Sequence, residues 1–454
     1  MRESWQYMDN KKECFVLDEL PYEKSFLTLK LRRAGSNISF FKIFNKFIDD
    51  EVMDKLYNEF TNDDLILQRR IVKDTRYNTK KVVGHICMDL KMKNLWIAMA
   101  VQIRIIGRGV KSTENNPMKR GMETSVNEAI DHFRSMFGNC PNSKALCKLL
   151  SNMFLKEGYG ELISKKFVEL VLSLGQSVAG DEKLWRFTGN SGNIRLCISK
   201  PDKVGFWFYE LCAMFSNGLP YMLQLLMHNS TKESVKVVDI VKGWIAIVKE
   251  VGSDFVPEGE LPNPKTYLAC DSYYVATESR SALVESGINF CASVQKDRFA
   301  NEVKMIHPPG HVPKTGEWRG MYNPRTDERF VYHYDTQKGV GIKYNLSKGF
   351  ERCLVLNTIK QHSNRIPCYD NYKTFFEACD HFNRNLHDRY FPHKRGGFGR
   401  SGEDGEHNDF IMACVLQNTF NAYHHINNAN VGSITFKQMC DNLSDDIFIH
   451  SMSY

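Results

Sequence analysis

Three acidic residues, Asp181, Asp271 and Glu377, stand where carboxylates could be held around a divalent ion. Asp181 lies in the short apolar-flanked segment Gln176-Ser-Val-Ala-Gly-Asp-Glu-Lys-Leu-Trp-Arg-Phe187. Asp271 ends the apolar run Thr266-Tyr-Leu-Ala-Cys-Asp271, ahead of Ser272-Tyr-Tyr274. Glu377 sits in Tyr369-Asp-Asn-Tyr-Lys-Thr-Phe-Phe-Glu-Ala-Cys-Asp380, which keeps helical character to about Asn385. A carboxylate on one strand, a second on a later strand and a third on a following helix can converge on two divalent ions. The chemistry of such a site is phosphodiester cleavage. The chain carries 53 Asp and Glu, so spacing alone selects no triplet and the surrounding elements must decide. Plainer readings stand beside this one. Asp181 suits a strand end, Asp271 suits a helix cap, and a Glu on a helix is commonly a solvated residue.

The elements that must position these acids follow from apolar periodicity. Residues 1–36 are polar and mixed, with a basic cluster at Lys30-Leu-Arg-Arg33, and read as a partly ordered lead-in. From Phe40 the pattern is helical. Phe44, Phe47, Ile48, Val52, Leu56 and Phe60 recur every three or four residues, and Asp49-Asp-Glu51 looks like a helix start. Leu95 to Ile106 predicts a more buried helix, and 127–137, 143–155 and 161–174 continue in the same style. Residues 37–175 thus form a helical unit. After Gly175, the runs 177–187, 193–197, 204–215 and 221–227 are short and separated by Gly, Asn or Pro, as successive antiparallel strands are. An amphipathic helix over 234–251, the strand ending at Asp271, a helix over 279–286 and a strand over 289–295 follow. That order matches a ribonuclease H-like α/β core, whose first and fourth strands carry carboxylates side by side. Residues 300–366 are turn-rich with short β-like runs (Arg329 to Tyr334, Gly341 to Tyr344) and read as a β-rich insertion before the last catalytic helix. The core resumes over 367–430, with a helix from about Asp409 to Ile426, and 431–454 reads as a tail.

Composition narrows the setting. With 42% hydrophobic and 25% charged residues the chain is globular and core-forming. Its net charge of +7 is compatible with a polyanionic partner without requiring one. Thirteen cysteines are scattered with no Cys-x-x-Cys pair, as reduced, mostly buried thiols are. The opening residues lack the apolar stretch of a signal peptide, and Leu95 to Ile106 is too short to cross a bilayer, so an intracellular protein without a membrane span is expected. His307 and His311, flanking Pro-Pro-Gly, have no nearby Cys or acid and read as structural.

These words together resemble the piggyBac transposase family. Its first catalytic segment is similar to Asp181-Glu-Lys-Leu-Trp-Arg-Phe-Thr-Gly189, and its Lys-Pro-x-Lys-x-Gly stretch to Lys200-Pro-Asp-Lys-Val-Gly205. The Cys-Asp followed by aromatics looks like Cys270-Asp-Ser-Tyr-Tyr274, and the later strand and charged turn like Ala292-Ser-Val-Gln-Lys-Asp-Arg298. In the third word Tyr369, Lys373 and Asp380 are in register, and Asn421-Ala-Tyr423 echoes a family helix. The resemblance implies an Asp181–Asp271–Glu377 triad holding two Mg²⁺ or Mn²⁺ ions, with Asp380 as a supporting ligand. It further implies double-stranded DNA as partner, nicking, hairpin formation and transfer to TTAA targets, nuclear residence, and a homodimer or a hetero-oligomer with another transposase subunit. Lys200, Lys203 and Lys373 are candidate phosphate contacts, as are Lys394, Arg395 and Arg400 in the loop His393-Lys-Arg-Gly-Gly-Phe-Gly-Arg400.

Two departures from the family pattern matter. The third acid is Glu where the family has Asp, and Thr374-Phe-Phe376 replaces a Gly-Gly-Val. A Glu ligates Mg²⁺ with one more methylene of reach, and displacing an ion by an ångström is costly in rate. The family's C-terminal Cys-rich zinc domain also has no counterpart in these residues. A catalytically impaired DNA-binding or architectural partner of an active transposase is therefore the alternative, ahead of an unrelated two-metal nuclease.

Overall fold

The computed structural model describes residues 6–9, 26–31, 37–59, 71–74, 79–82, 91–108, 118–138, 158–175, 177–186, 195–198, 203–227, 235–252, 266–275, 277–293, 318–323, 325, 328–335, 351–357, 376–386, 403–429 and 433–454. Strands β1 (Gln6–Asp9) and β2 (Thr28–Leu29) precede helices α1 (Phe40–Phe47) and α2 (Asp50–Glu59). Ser39 caps α1, its hydroxyl accepting from the Lys42 amide at 3.2 Å. The Asp49 carboxylate accepts from the Val52 amide at 3.1 Å and starts α2, so the acidic run at 49–51 is a helix start. Helix α1 buries Phe40, Ile43, Phe44 and Phe47 along one stripe. A hairpin of β3 (Ile71–Asp74) and β4 (Thr79–Val82) follows, then α3 (Met92–Arg108), α4 (Met118–Phe137) and α5 (Tyr159–Glu169). Leu95 to Val101 of α3 are buried on every side, as in a central helix.

Helix α5 ends at Glu169 rather than running to Leu174. Val171–Ser173 is instead β5, which pairs with β2. The apolar run 170–174 fits either state locally, and the partner strand far upstream decides for the extended one. Gly175, at φ +72°, then turns the chain against the Phe26 backbone, where a built Cβ would lie 2.5 Å from the Phe26 carbonyl carbon. Only glycine fits this junction.

The remaining strands are β6 (Ser177–Arg186), β7 (Arg195–Leu196), β8 (Val204–Met214), β9 (Pro220–Met227), β10 (Tyr267–Cys270), β11 (Asn289–Ser293), β12 (Trp318–Asn323), β13 (Glu328–Asp335) and β14 (Glu351–Asn357). With β1 they form one mixed sheet in the order β1–β12–β13–β14–β11–β10–β6–β8–β7, with β9 also paired to β8. Strands β6, β10 and β11 are mutually parallel, and β8 is antiparallel to both β6 and β9. Strands β12 to β14, expected within an insertion, continue this same sheet through the antiparallel pairing of β14 with β11. Helices α6 (Val237–Gly252) and α7 (Thr277–Ser286) flank β10 in the chain. Helix α8 spans 376–386, and α9 (Glu403–Ile426) and α10 (Phe436–Ser451) complete the described elements.

Helix α9 covers β9. The Asn418 side chain pairs with Met222 like a neighbouring strand, accepting from its N–H at 2.9 Å and donating to its carbonyl at 2.8 Å. Asn421 donates to the Pro220 carbonyl at 2.6 Å. Residues 431–454, expected as a tail, instead carry α10. Its start is a Thr435–Gln438 capping box, and it packs on α3 through Ser444, which donates to the Ala100 carbonyl at 2.8 Å. Asp445 of α10 receives Arg104 Nη1 at 2.6 Å, and Phe448 stacks on Phe133 of α4 at 4.4 Å between ring centroids. Cys197, Cys212, Cys270, Cys291, Cys379, Cys414 and Cys440 are free thiols, all buried except Cys197. Among the described residues no helix is long and apolar enough to cross a membrane.

Candidate active site

The parallel pairing of β6 with β10 places two of the expected acids side by side. Gly180 is the register partner of Cys270, so Asp181 and Asp271 are the next residues on adjacent strands that run in the same direction. Asp181 is 8% exposed. Asp271 leaves the sheet at the end of β10, where its carboxylate accepts from the Ser272 amide and caps the short 3₁₀ turn Ser272–Tyr274. Its capping role and its place beside Asp181 are compatible, because the cap uses one carboxylate oxygen.

Tyr274, at the end of that turn, reaches back to β6 and donates to Glu182 Oε2 at 2.7 Å. Its ring packs against Trp244 of α6 at 4.7 Å. Burial, and then the negative charges of Glu182 and Asp181, push the Tyr274 phenol far up, so it remains a proton donor. Burial also raises the Cys270 thiol, with the charges of Asp271 and Asp181 next in effect.

Across β6 from Asp181 is Glu210 of β8, its register partner and a fully buried acid in an otherwise apolar run. Helix α8 lies over these strands. Ala378, Cys379, Phe382 and Leu386 form its buried face. The Cys379 thiol donates to the Ala179 carbonyl at 3.2 Å, and Asn383 Nδ2 donates to Glu210 Oε2 at 3.0 Å. Burial raises the Cys379 thiol, its contact with the Cys212 thiol of β8 adds to the rise, and Glu210 and Asp181 contribute less.

Glu377 opens α8 two residues before Cys379. Its side chain is 46% exposed and lies 3.9 Å from His381 Nε2. Asp380, also on α8, is exposed. Among the described residues no group of three or more His, Cys, Asp and Glu side chains is gathered as a metal site. Asp181 and Asp271 are thus neighbours at the sheet, while the half-exposed Glu377 and the exposed Asp380 stand on the helix above. Lys203 is exposed at the start of β8. Lys200, Lys373, Lys394, Arg395, Arg400, His307 and His311 lie outside the described residues. Sequence reasoning passed over Glu210, Asn383 and the Glu182–Tyr274 bond. Glu210 carried a signal, because a lone acid amid Phe206 to Ala213 contradicts the pattern of a central strand.

A solved structure described as the cryo-EM structure of a piggyBac transposase synaptic complex with hairpin DNA aligns with this chain at a TM-score of 0.62. The alignment covers 95% of this chain and 84% of that one, at 12% sequence identity. The chain has the fold of a piggyBac transposase. No family model and no curated protein sequence matches it. The likeness to the piggyBac transposase therefore rests on backbone arrangement, and it spans the helical region, the mixed sheet and the C-terminal helices together.

Proposed function

We propose that this chain is a piggyBac-like DNA transposase, or a domesticated descendant of one, that cuts and joins DNA strands with Mg²⁺ or Mn²⁺. One observation carries the reading: Asp181 on β6 stands level with Asp271 at the end of the adjacent parallel strand β10, in a chain with a transposase fold. The run β9–β8–β6–β10–β11, with β8 alone reversed, supports a ribonuclease H-like core. The carboxylate pair fits hard divalent cations, which prefer oxygen donors. In this reading Asp181 and Asp271 hold the ions at the sheet, with Glu377 and Asp380 completing the set from α8.

A bound ion would supply Lewis acidity at the phosphate and a lowered pKa for the attacking water or 3′-hydroxyl. The chain's own groups set up that chemistry. The Ser272 amide orients Asp271, the Tyr274 hydroxyl fixes Glu182 on the opposite face of β6, and the apolar floor of Ala179, Cys212 and Cys379 limits the water around Asp181. Lys203, with Lys200, Lys373, Lys394, Arg395 and Arg400, would neutralise backbone phosphates of double-stranded DNA. Action at TTAA sites, assembly as a homodimer or with another transposase subunit, and a nuclear location complete the reading. A second reading, a DNA-binding architectural partner that no longer cuts, is favoured by the half-exposed Glu377 turned toward His381.

Strand cleavage of TTAA-flanked DNA separates the two. The transposase reading expects Mg²⁺-dependent nicking that Asp181→Ala abolishes. Equal nicking by the variant rejects the assignment of Asp181, and DNA binding without any nicking selects the architectural partner.

A further inference from the structure

Glu210 and Asn383 lie outside the proposed ligand set, yet they join its two halves. On β6, Ala179 and Asp181 share one face of the sheet, because side chains alternate along a strand. On α8, Cys379 and Asn383 are one turn apart and share one face of the helix. Among the described residues, two of the contacts between these faces lie closest to the proposed ligands, while Cys379 also meets the Cys212 thiol of β8. Cys379 bonds the Ala179 carbonyl at 3.2 Å, and Asn383 bonds Glu210 at 3.0 Å, where Glu210 is the cross-strand partner of Asp181. The second contact thus sits level with Asp181.

The two contacts differ in kind. A thiol donates a weak hydrogen bond, whereas an amide donating to a carboxylate makes a charge-assisted one. Glu210 has no exposed surface, so its charge depends on protein donors. The Asn383 amide is therefore the stronger of these two polar contacts. Glu377 lies six positions before Asn383 and Asp380 three before it, on the same short helix. A rotation or slide of α8 about a lost tether carries both acids with it.

We infer that the Glu210–Asn383 hydrogen bond is a positioning link that sets where α8 presents Glu377 and Asp380 relative to Asp181 and Asp271. Neither residue touches a reacting atom. The inference rests on the proposed metal-binding reading and adds to it a buried acid and an amide, each acting through its neighbours.

Mn²⁺ titration calorimetry on the full chain without DNA tests this, with thermal unfolding measured on the same samples. Asn383→Ala removes this amide donor to Glu210 and is expected to weaken Mn²⁺ binding about tenfold, as loss of an outer-shell partner typically does. Asn383→Asp sets a second carboxylate against Glu210 and is expected to weaken it further. Asn383→Gln, which keeps an amide donor, is expected to retain more affinity than Asn383→Ala. Asn383→Ala that binds Mn²⁺ like the wild type overturns the link, whatever its melting temperature. Equal affinity losses for the Ala and Gln variants, tracking their losses in melting temperature, also overturn it. A wild-type chain that binds no Mn²⁺ overturns the metal reading itself, and the positioning role falls with it.

Discussion

The indole ring of Trp244 occupies the space that a side chain at position 180 would need. A Cβ built on Gly180 would come within 2.5 Å of the ring, and Trp244 is itself fully buried between that glycine and Tyr274. The glycine before Asp181 is thus the floor on which α6 rests. Through Trp244 and Tyr274 it connects the end of β10 to the acid-bearing segment of β6.

Gly180→Ala tests that relationship. The added methyl has no void to enter, so either Trp244 leaves its rotamer or β6 shifts away from α6. Overpacking of this kind costs about 1–3 kcal/mol. Urea denaturation is expected to show that loss at an unchanged slope. A variant as stable as the wild type would mean that α6 yields freely and that Gly180 has no packing role.

The order of strands around the site was legible in the sequence, and the reason is local. Runs such as Phe206 to Ala213 and Tyr267 to Cys270 are apolar, short and bounded by turn residues, so periodicity and punctuation identified them without a partner. The neighbouring placement of Asp181 and Asp271 was legible for the same reason, since each stands at a change from apolar to polar. What escaped depends on residues distant in the chain. Val171–Ser173 is a strand because Thr28–Leu29 pairs with it. Residues 431–454 read as a tail because what fixes α10 is distant in the chain: Asp445 faces Arg104, a partner 341 positions away. Glu210 was visible as an anomaly, but its donor Asn383 is 173 positions downstream and no local pattern links them.

Asn418→Ala should open the sheet at β9. Met222 is fully buried, and the Asn418 amide satisfies both its N–H and its carbonyl. The register of β8 with β9 shifts between Leu211 and Cys212, next to the pair Cys212–Met222, so the ladder is already irregular there. Removing the amide strands two buried backbone groups at about 1–3 kcal/mol each, less whatever water enters. The expected result is a loss of roughly 2–4 kcal/mol and faster amide exchange in β9 than in β6. Uniform exchange across the sheet would place the role of Asn418 in global packing instead.

Lys166 gives a pH-dependent prediction. Its ammonium is nearly shut from solvent and lies 2.7 Å from Asp49 Oδ2 and 2.5 Å from Glu51 Oε2, fastening α5 to the start of α2. Burial alone would lower its pKa. The hydrogen bonds to Asp49 and Glu51, with the charges of Asp49 and Glu169, outweigh burial and hold it above the ordinary 10.5. A cation whose pKa is raised on folding contributes its full stabilisation below the unfolded value. That contribution disappears only as pH climbs through the raised value. Lys166→Met keeps the buried stem, removes the charge and leaves the Asp49 carboxylate, among the described residues, with its capping bond to Val52. The variant is expected to be about 1–2 kcal/mol less stable than the wild type, because Glu51 is largely exposed and its share is screened. That gap should stay constant from neutral pH to about 10 and narrow only in stronger alkali. Chemical denaturation of both proteins at a series of pH values reads it directly, and a gap that closes before pH 10.5 would show that the lysine gains nothing from its two acids.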